Sequence, residues 1–196
     1  MICNSCVLDN SIKSLKFTDG KCNFCYKYFP LLEKKNKENN SKNEIEKIFN
    51  TISNVNKKYN CLIGVSGGVD SSYIAHLAKL YNLKPLLLHF DNGWNSELAV
   101  SNIKKIATVC NFELQTYVVN WPEFKNIQRS FIKSGVIDIE LVTDHAIFAN
   151  LINTAKKNKI KHILSGTNIF TEHAMPHEWI WRKSDIRNIK SIHKKY

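Results

Sequence analysis

Residues 64–72 read Gly64-Val65-Ser66-Gly67-Gly68-Val69-Asp70-Ser71-Ser72. Residues 61–65 are apolar, which predicts a short strand buried on both faces. Residues 71–81 carry apolar side chains at helical spacing, which predicts a helix. A glycine-rich turn between a buried strand and a helix is typical of phosphate sites, because backbone N–H groups at a helix start point toward the ligand. The segment therefore predicts a phosphate-binding loop.

This loop offers both backbone and side-chain donors to phosphate oxygens. Its two adjacent glycines let backbone amides approach an anion without obstruction by a side chain. Its serines can donate hydroxyl hydrogen bonds, and the start of the helix adds partial positive charge. The residues expected to contact a bound nucleotide are Ser66, Gly67, Gly68, Val69, Asp70, Ser71 and Ser72.

Two common nucleotide-binding motifs do not fit the loop. No lysine follows the second glycine, as in nucleotide kinases, and the Gly-x-Gly-x-x-Gly spacing of dinucleotide sites is absent. The loop suits the β,γ-pyrophosphate of ATP as a leaving group, in an enzyme that transfers AMP. Asp70 would repel phosphates on its own, so we expect it to engage either Mg²⁺ or a loop amide. A plain strand-to-helix turn is the structural alternative.

Outward from the loop, strand and helix signals alternate. Apolar runs predict strands at 85–90, 113–119 and 160–164, and apolar periodicity predicts helices at 43–56, 95–109, 121–134 and 144–157. This alternation predicts an α/β protein, with an open parallel sheet and helices on both faces in a Rossmann-like arrangement. We expect a cysteine module at 1–30, a linker and helix at 31–58, and an ATP-binding sheet domain at 59–196.

Polar residues and a glycine follow two further predicted strands. Asp91 and Asn92 come after the second strand, and Gly166 and Thr167 come after the fourth. Either pair alone would be compatible with ordinary turn chemistry. Because ligands bind beyond the carboxyl ends of parallel strands, we expect these four residues to line the same nucleotide pocket as the loop.

Four of the six cysteines form the pattern Cys3-x2-Cys6-x15-Cys22-x2-Cys25. That is the spacing of a zinc site built from two knuckles. A tight turn predicted at residues 17–20 would fold the second pair back onto the first. Four thiolates satisfy tetrahedral Zn²⁺ and leave no open position, so we expect a structural zinc ion. Disulfides and unrelated thiols are the alternatives, and a reducing cytosol argues against disulfides.

The 196-residue chain carries 28 Lys+Arg against 17 Asp+Glu, a net charge of +11, and its 43% hydrophobic content excludes collagen-like and wholly disordered chains. Much of the lysine lies in the polar segment 33–42 and in the basic tail 182–196. We therefore expect solvated charge rather than a nucleic-acid partner. No run reaches the roughly 18 apolar residues of a membrane span, and the first residues do not form a signal peptide. The expectation is a cytosolic protein with no membrane partner.

Several segments together resemble a known family. They are 3–9 and 17–25 around the cysteines, the loop at 64–72, Asp91-Asn92-Gly93-Trp94-Asn95-Ser96-Glu97, Thr143-Asp144-His145-Ala146 and Ser165-Gly166-Thr167-Asn168. The loop resembles that of the PP-loop ATP pyrophosphatases. The chain as a whole resembles the N-terminal part of an N-acetyl sugar amidotransferase, and the resemblance covers almost all of it.

The resemblance implies an enzyme that converts the acetamido group of a nucleotide-linked N-acetyl sugar into an acetamidino group. ATP, with Mg²⁺, would adenylate the amide oxygen, and a separate glutaminase subunit would supply ammonia. Such enzymes make sugars for surface polysaccharides such as lipopolysaccharide O-antigen, and flagellin-modifying sugars such as pseudaminic acid. Family members are longer than this chain, which implies that the sheet domain is incomplete at its C-terminus.

We expect Asp70 and Asp144 to be the catalytic residues, with Asp144 at the sugar or the Mg²⁺ site. The alternative is that Asp144 caps a predicted helix while His145 packs against the protein. After residue 180, an apolar stripe on a basic helix has no evident partner, so either the helix folds back or the chain is a fragment. That stripe consists of Ile186, Ile189 and Ile192.

Two other functions stay open. A PP-loop enzyme that thiolates tRNA would share the zinc module and the positive charge. Such enzymes generally use extra cysteines near the nucleotide, whereas Cys61 and Cys110 do not form a pair in the sequence. The other alternative is a zinc-stabilised binding module with a degenerate loop, and the intact loop sequence argues against it.

Overall fold

The computed structural model describes residues 1–39, 42–167, 176–179 and 181–196. Contacts divide the chain into two compact units, Met1–Ile45 with Thr167–Arg182, and Glu46–Gly166 with Lys183–Tyr196. The domain boundaries expected from the sequence stay a prediction, because a grouping by contacts does not establish which segments fold independently.

The first unit is built on a short antiparallel hairpin. Strand β1 (Phe17–Thr18) pairs with β2 (Lys21–Cys22), and helix α1 (Asn23–Asn39) follows directly. Between the strands, Asp19 and Gly20 have φ angles of +48° and +75°. Two consecutive left-handed residues form the type I′ turn that suits a two-residue hairpin, so the predicted tight turn is present. The region expected to be a linker begins with the second half of α1.

The second unit contains a four-stranded parallel sheet. In the order β5-β4-β3-β6, it combines β3 (Cys61–Gly64), β4 (Pro85–Asp91), β5 (Glu113–Val118) and β6 (Ile163–Leu164). The chain moves outward from β3 to β4 and β5, and then returns to the other side of β3 with β6. This reversal of direction falls at the carboxyl ends of β3 and β6, which is where open α/β sheets bind ligands.

Helices pack on both faces of this sheet, which confirms the predicted fold class. The α-helices from residue 42 onward are α2 (Lys42–Ser53), α3 (Val69–Leu80), α4 (Glu97–Cys110), α5 (Trp121–Ser134), α6 (Leu141–Lys157) and α7 (Ile186–Lys195). One face packs on α2, α3 and α4 through a cluster that includes Phe49, Ile63, Ala78, Leu87 and Ile103. The opposite face packs on α6 through Leu62, Leu86, Leu88, Leu151 and Ala155. None of the helices in the described ranges has the length and apolar character that crossing a membrane requires.

Most element boundaries differ from the predicted ones by one to three residues, and three of these differences have a clear physical reason. Helix α3 starts at Val69 rather than at 71, because the extended residue Gly68 serves as its N-cap. Helix α6 starts at Leu141 rather than at 144, because Leu141 and Val142 are buried in a cluster with residues of α5. Strand β6 covers only Ile163–Leu164, the two residues that pair with β3.

The apolar stripe of the C-terminal helix has a partner within this chain. Helix α7 folds back onto α5, and Ile189 is buried in a cluster with Phe124 and Phe131, with Ile192 packed beside it. Ile186 is 45% exposed. Of the two explanations expected for this stripe, folding back is the one observed, and the idea of an unpartnered helix is wrong.

Candidate functional site

The loop after β3 leaves the start of α3 open to solvent. Gly68 is the N-cap residue, and within the described ranges no side chain forms a capping hydrogen bond at this end of the helix. The serines hold the loop from within: the Ser72 hydroxyl donates to the Gly68 carbonyl at 2.6 Å, and the Ser71 hydroxyl lies 3.3 Å from both that carbonyl and the Ser66 hydroxyl. An uncapped helix start carries partial positive charge and unsatisfied N–H groups, so it can accept an anion.

The two glycines of the loop are constrained by different neighbours. Gly67 has a φ of +78°, and a Cβ built on it would lie 2.4 Å from the Ala99 carbonyl oxygen of α4. The Asn102 amide donates to the Gly67 carbonyl at 3.1 Å. Among the described residues, a Cβ built on Gly68 would meet the Ser66 hydroxyl alone, at 3.4 Å. Gly67 is therefore required by the fold, whereas no described residue fills the space in front of Gly68.

The segment after β6 meets the loop at the start of α3. A Cβ built on Gly166 would lie 2.8 Å from the carbonyl carbon of Asp70 and from the amide nitrogen of Ser71. Only glycine permits this approach, so the sheet topology brings Gly166 to the loop as the sequence suggested. Thr167 follows and is exposed. Asp70 is exposed as well, and its carboxylate forms no hydrogen bond or ion pair within the described ranges.

Asp91 and Asn92 shape the turn that follows β4. The Asp91 carboxylate accepts hydrogen bonds at 3.0 Å from the Gly93 amide and from the Asn95 side chain. The Asn92 side chain accepts one at 3.1 Å from the Trp94 amide. Both residues lie at the carboxyl edge of the sheet, beside the loop after β3. The structure shows that both side chains accept hydrogen bonds within the turn. Their contact with a nucleotide stays a prediction.

Asp144 lies in the first turn of α6 and does not cap it, since Glu140 is the N-cap residue. The Lys183 ammonium bridges the Asp138 and Asp144 carboxylates at 2.6 and 2.8 Å. The His145 ring nitrogen Nδ1 lies 2.7 Å from the Lys183 carbonyl oxygen. Burial alone would lower the pKa of Lys183, but the hydrogen bonds with Asp138 and Asp144 outweigh it and hold that pKa above its ordinary value.

Topology puts Asp144 at the same edge of the sheet as the loop. Helix α6 returns the chain to β6 and therefore runs antiparallel to the strands. Its Leu151 side chain lies 3.4 Å from a Cβ built on Gly64, the last residue of β3. Asp144 comes two turns earlier, which places it about 10 Å further along the helix, beyond the carboxyl ends of the strands.

Several residues that shape the site were not predicted from the sequence. Asn102 holds the loop from α4, and His89 is buried in β4 with its Nδ1 3.1 Å from the Val65 carbonyl. Thr143 is buried beside Asp144, and its hydroxyl has no hydrogen-bond partner in the described part of the chain. A histidine within an otherwise apolar strand was a visible signal. The contacts of Asn102 and Lys183 had no such signal in the sequence, because these contacts depend on tertiary packing.

The four N-terminal cysteines form a compact donor set. Their sulfur atoms all lie within 4.8 Å of one another. The Cys3 and Cys25 sulfurs are 3.7 Å apart, and those of Cys6 and Cys22 are 3.6 Å apart. A tetrahedral zinc ion with Zn–S bonds of about 2.3 Å has sulfur–sulfur edges of about 3.8 Å. All four are free cysteines, and their donor chemistry and spacing fit a zinc ion.

Backbone amides surround these sulfurs as they do in metal knuckles. The amides of Ser5 and Cys22 donate to the Cys3 sulfur at 3.4 and 3.2 Å, and the Cys25 amide donates to the Cys22 sulfur at 3.4 Å. Burial would raise the pKa of Cys3, but hydrogen bonds from the backbone of Ser5, Cys22 and Cys6 lower that pKa to about 6. Burial and the neighbouring thiols raise the pKa of Cys25. Four thiolates so close together would repel one another, and a bound divalent cation would offset that repulsion.

Comparison with known proteins gives distant relatives. No family model matches the chain. The uncharacterized protein MJ1599 of Methanocaldococcus jannaschii is 25% identical over an alignment of 196 positions that covers 97% of this chain. A chloroplastic tRNA(Ile)-lysidine synthase of Pyropia yezoensis is 27% identical over an alignment of 138 positions that covers 67% of this chain. The chain spans 64% of the length of the first relative and 38% of the second.

A solved structure shares the α/β fold. The NH3-dependent NAD synthetase from Campylobacter jejuni aligns with a TM-score of 0.50 and 14% identity, over 65% of this chain and 55% of that protein. This likeness concerns the fold alone. Membership of the N-acetyl sugar amidotransferase family is not confirmed by these comparisons. The chain has the parallel α/β fold of the PP-loop ATP pyrophosphatases.

Proposed function

We propose that this chain is the nucleotide-binding part of an AMP-forming amidotransferase that acts on the acetamido group of a nucleotide-linked N-acetyl sugar. The observation that carries the proposal is the open space in front of Gly68 at the uncapped start of α3. That space lies where the sheet reverses direction and where Gly166 closes on the loop. The choice of a sugar acceptor rests on the sequence resemblance described above.

The proposed reaction has two steps. The acetamido oxygen forms a bond to the α-phosphorus of ATP while the bond from that phosphorus to pyrophosphate breaks. Ammonia then attacks the carbon of the adenylated imidate, AMP leaves with the former amide oxygen, and the nitrogen loses a proton. The products are the acetamidino sugar, AMP and pyrophosphate. The loop would hold the departing pyrophosphate through backbone amides and the dipole of α3, which stabilises charge as it develops.

Asp70 and Asp144 have different parts in this proposal. The exposed Asp70 carboxylate, in the first turn of α3, would hold the Mg²⁺ that neutralises the phosphates. Asp144 would orient the acceptor at the opposite wall of the crevice. Its ion pair with Lys183 balances its charge and fixes its position. In both roles, the protein acts mainly by positioning and by electrostatic stabilisation.

The remaining assignments concern the surroundings of the reaction. Ammonia must arrive unprotonated, since ammonium has no lone pair, so a glutaminase subunit would deliver it through a closed route. The cluster of four cysteines would hold a structural zinc ion with no open coordination position. A reducing cytosol would keep these cysteines unbridged. Nucleotide-linked sugars for surface polysaccharides or flagellin are the proposed substrates.

A second candidate is an enzyme that uses the same loop to modify tRNA. The match to a tRNA(Ile)-lysidine synthase and the net charge of +11 favour it. Thiolation is disfavoured by the positions of the two remaining cysteines. Cys61 begins β3 and Cys110 ends α4, so both lie at the amino edge of the sheet, away from the loop. Burial also raises the pKa of Cys61 to about 12, which makes its thiol a poor nucleophile at neutral pH.

The test is a product assay with ATP labelled at the α-phosphate. Wild-type chain, with the glutaminase or ammonia and a nucleotide-linked acetamido sugar, should release AMP and pyrophosphate only when the sugar is present. Asp70→Ala should slow AMP release by at least about tenfold. Glu123→Ala removes an exposed acidic residue from the first turn of a different helix, α5, and should have no effect.

Other outcomes of this assay separate the candidates. Release of ADP instead of AMP would overturn adenylyl transfer. AMP release that depends on tRNA and not on the sugar would replace the first candidate with the second. Equal AMP release by wild type and Asp70→Ala would remove Asp70 from the mechanism.

A further inference from the structure

Trp94, which follows β4, is held by contacts within the protein while most of its side chain faces solvent. Trp94 is 67% exposed, which is unusual for so large an apolar side chain. Its indole N–H donates to the Gln128 side-chain oxygen at 2.9 Å, and its backbone amide donates to Asn92. Trp121 meets it edge to face, with ring centroids 5.8 Å apart and planes inclined by 73°. Contacts within the protein therefore fix the indole and leave one face open.

The turn before this residue is built around the same aromatic pair. Gly93 has a φ of +81°, and a Cβ built on it would lie 3.0 Å from the Trp121 ring. A larger residue at 93 would press against the Trp121 ring. The turn and the helix start of α5 thus act together to present Trp94.

Trp94 lies within reach of the phosphate loop. It follows β4, the strand that pairs with β3, and Trp121 begins α5, shortly after β5 ends at Val118. Neighbouring strands are about 4.8 Å apart, so the carboxyl ends of β3 and β5 are separated by roughly 10 Å. Ala99, which touches Gly67, is only five residues from Trp94, and five residues span at most about 18 Å. A nucleotide bridges such a distance between its terminal phosphates and its base.

We propose that the exposed face of Trp94 is a stacking platform for the nucleobase of a substrate bound at this crevice. The inference rests on the proposed function, because the loop must hold the phosphates. The indole N–H is already used by Gln128, so the open face offers π stacking and no hydrogen-bond donor. A flat aromatic ring is the partner that such a face recognises, and it can come from ATP or from the nucleotide that carries the sugar.

The experiment measures the affinity of the wild-type chain for four probes by calorimetry, with tryptophan fluorescence in parallel. The probes are Mg-ATP, AMP, uridine diphosphate and pyrophosphate, and pyrophosphate has no base. Trp94→Leu should weaken binding of at least one base-containing probe on the order of tenfold, while pyrophosphate binding stays unchanged. Trp94→Phe should recover part of the loss, because it restores a smaller aromatic face.

Two further variants control for indirect effects. Trp181→Leu removes another exposed tryptophan, 53% exposed, and should leave every affinity unchanged. Gln128→Leu removes the partner of the indole N–H and should weaken binding less than Trp94→Leu does, because the ring loses its anchor but remains. Fluorescence quenching on binding should disappear in Trp94→Leu and persist in Trp181→Leu.

The outcomes of the titrations decide whether Trp94 stacks on a base and which nucleotide supplies that base. A loss with ATP and AMP assigns the platform to adenine, and a loss with uridine diphosphate alone assigns it to the sugar carrier. Equal affinities of Trp94→Leu and wild type for every probe overturn the platform while leaving the proposed function intact. Equal weakening of pyrophosphate and nucleotides also overturns it. Failure of the wild type to bind pyrophosphate or ATP overturns the proposed function itself.

Discussion

The cysteine hairpin, by which we mean residues 3–25, and the parallel sheet are stabilised by different interactions. The buried residues of the hairpin are Cys3, Leu8, Ile12, Cys22, Phe24 and Cys25, so half of that cluster is sulfur donors. The sheet buries aliphatic side chains on both faces, with Leu62, Ile63 and Leu87 fully enclosed. The hairpin strands are two residues long, too short to be stable alone. From this difference we predict that the hairpin depends on a bound ion, whereas the sheet depends on apolar burial.

Removal of the metal should produce the largest difference in stability between the hairpin and the sheet. Structural zinc contributes about 10–16 kcal/mol of apparent binding free energy in small zinc modules, so chelation or Cys22→Ser should unfold the hairpin. Elemental analysis should find one zinc ion per chain in the wild type. Hydrogen exchange should then show loss of protection at the hairpin after chelation, with the strands β3 and β4 still protected.

The converse variant controls for general destabilisation. Leu62→Ala should lower the free energy of unfolding of the sheet by about 2–5 kcal/mol and leave the zinc content unchanged. Absence of zinc in the wild-type protein, with a hairpin that is protected from exchange, would contradict the proposed difference between the regions.

Within the sheet unit, the two loop glycines should separate stability from binding. Gly67→Ala places a methyl group against the Ala99 carbonyl in a left-handed conformation, so it should cost about 1–3 kcal/mol in a urea unfolding experiment. Gly68→Ala meets no such obstacle, since Gly68 has an ordinary extended backbone with φ of −82°. It should leave the urea midpoint within error and still weaken ATP binding. Equal effects of both variants on unfolding would contradict the distinction.

The smallest expected effect concerns Lys183, which links α6 to the segment before α7. Lys183→Met should destabilise the sheet unit by about 1 kcal/mol, because the ion pair is partly exposed. The folded state raises the pKa of Lys183, so this contribution is full below the ordinary pKa of 10.5 and falls as the pH rises through the folded value. Urea midpoints of wild type and variant should therefore converge as the pH is raised above 10.5. Zinc content should not change.

The sequence predicted what is encoded locally. The loop, the tight turn at Asp19-Gly20 and the alternation of strands with helices follow from glycine positions and from periodicity over a few residues. The cysteine spacing likewise predicted a donor set that the fold brings together. These features depend on neighbours along the chain, so short sequence patterns carry enough information to find them.

Contacts between distant segments were beyond prediction. Nothing near Lys183 in the sequence indicates its pairing with Asp138 and Asp144, and the start of α6 moved by a turn because Leu141 and Val142 pack on α5. Residues 168–175, which include Asn168 of the resemblance, lie outside the described residues. The acceptor pocket and its specificity depend on just such long-range contacts.

The turn at Asp19-Gly20 also sets an order of events for assembly of the cysteine cluster. A two-residue hairpin closes in roughly 1–10 μs, without help from the rest of the chain. Cys22 and Cys25 are thus presented early, at the end of the hairpin and the start of α1, while Cys3 and Cys6 must still be recruited from the N-terminus. A zinc ion captured at that stage would be held by two sulfurs, and the arrival of the second pair would convert a loose, exchangeable complex into a closed one.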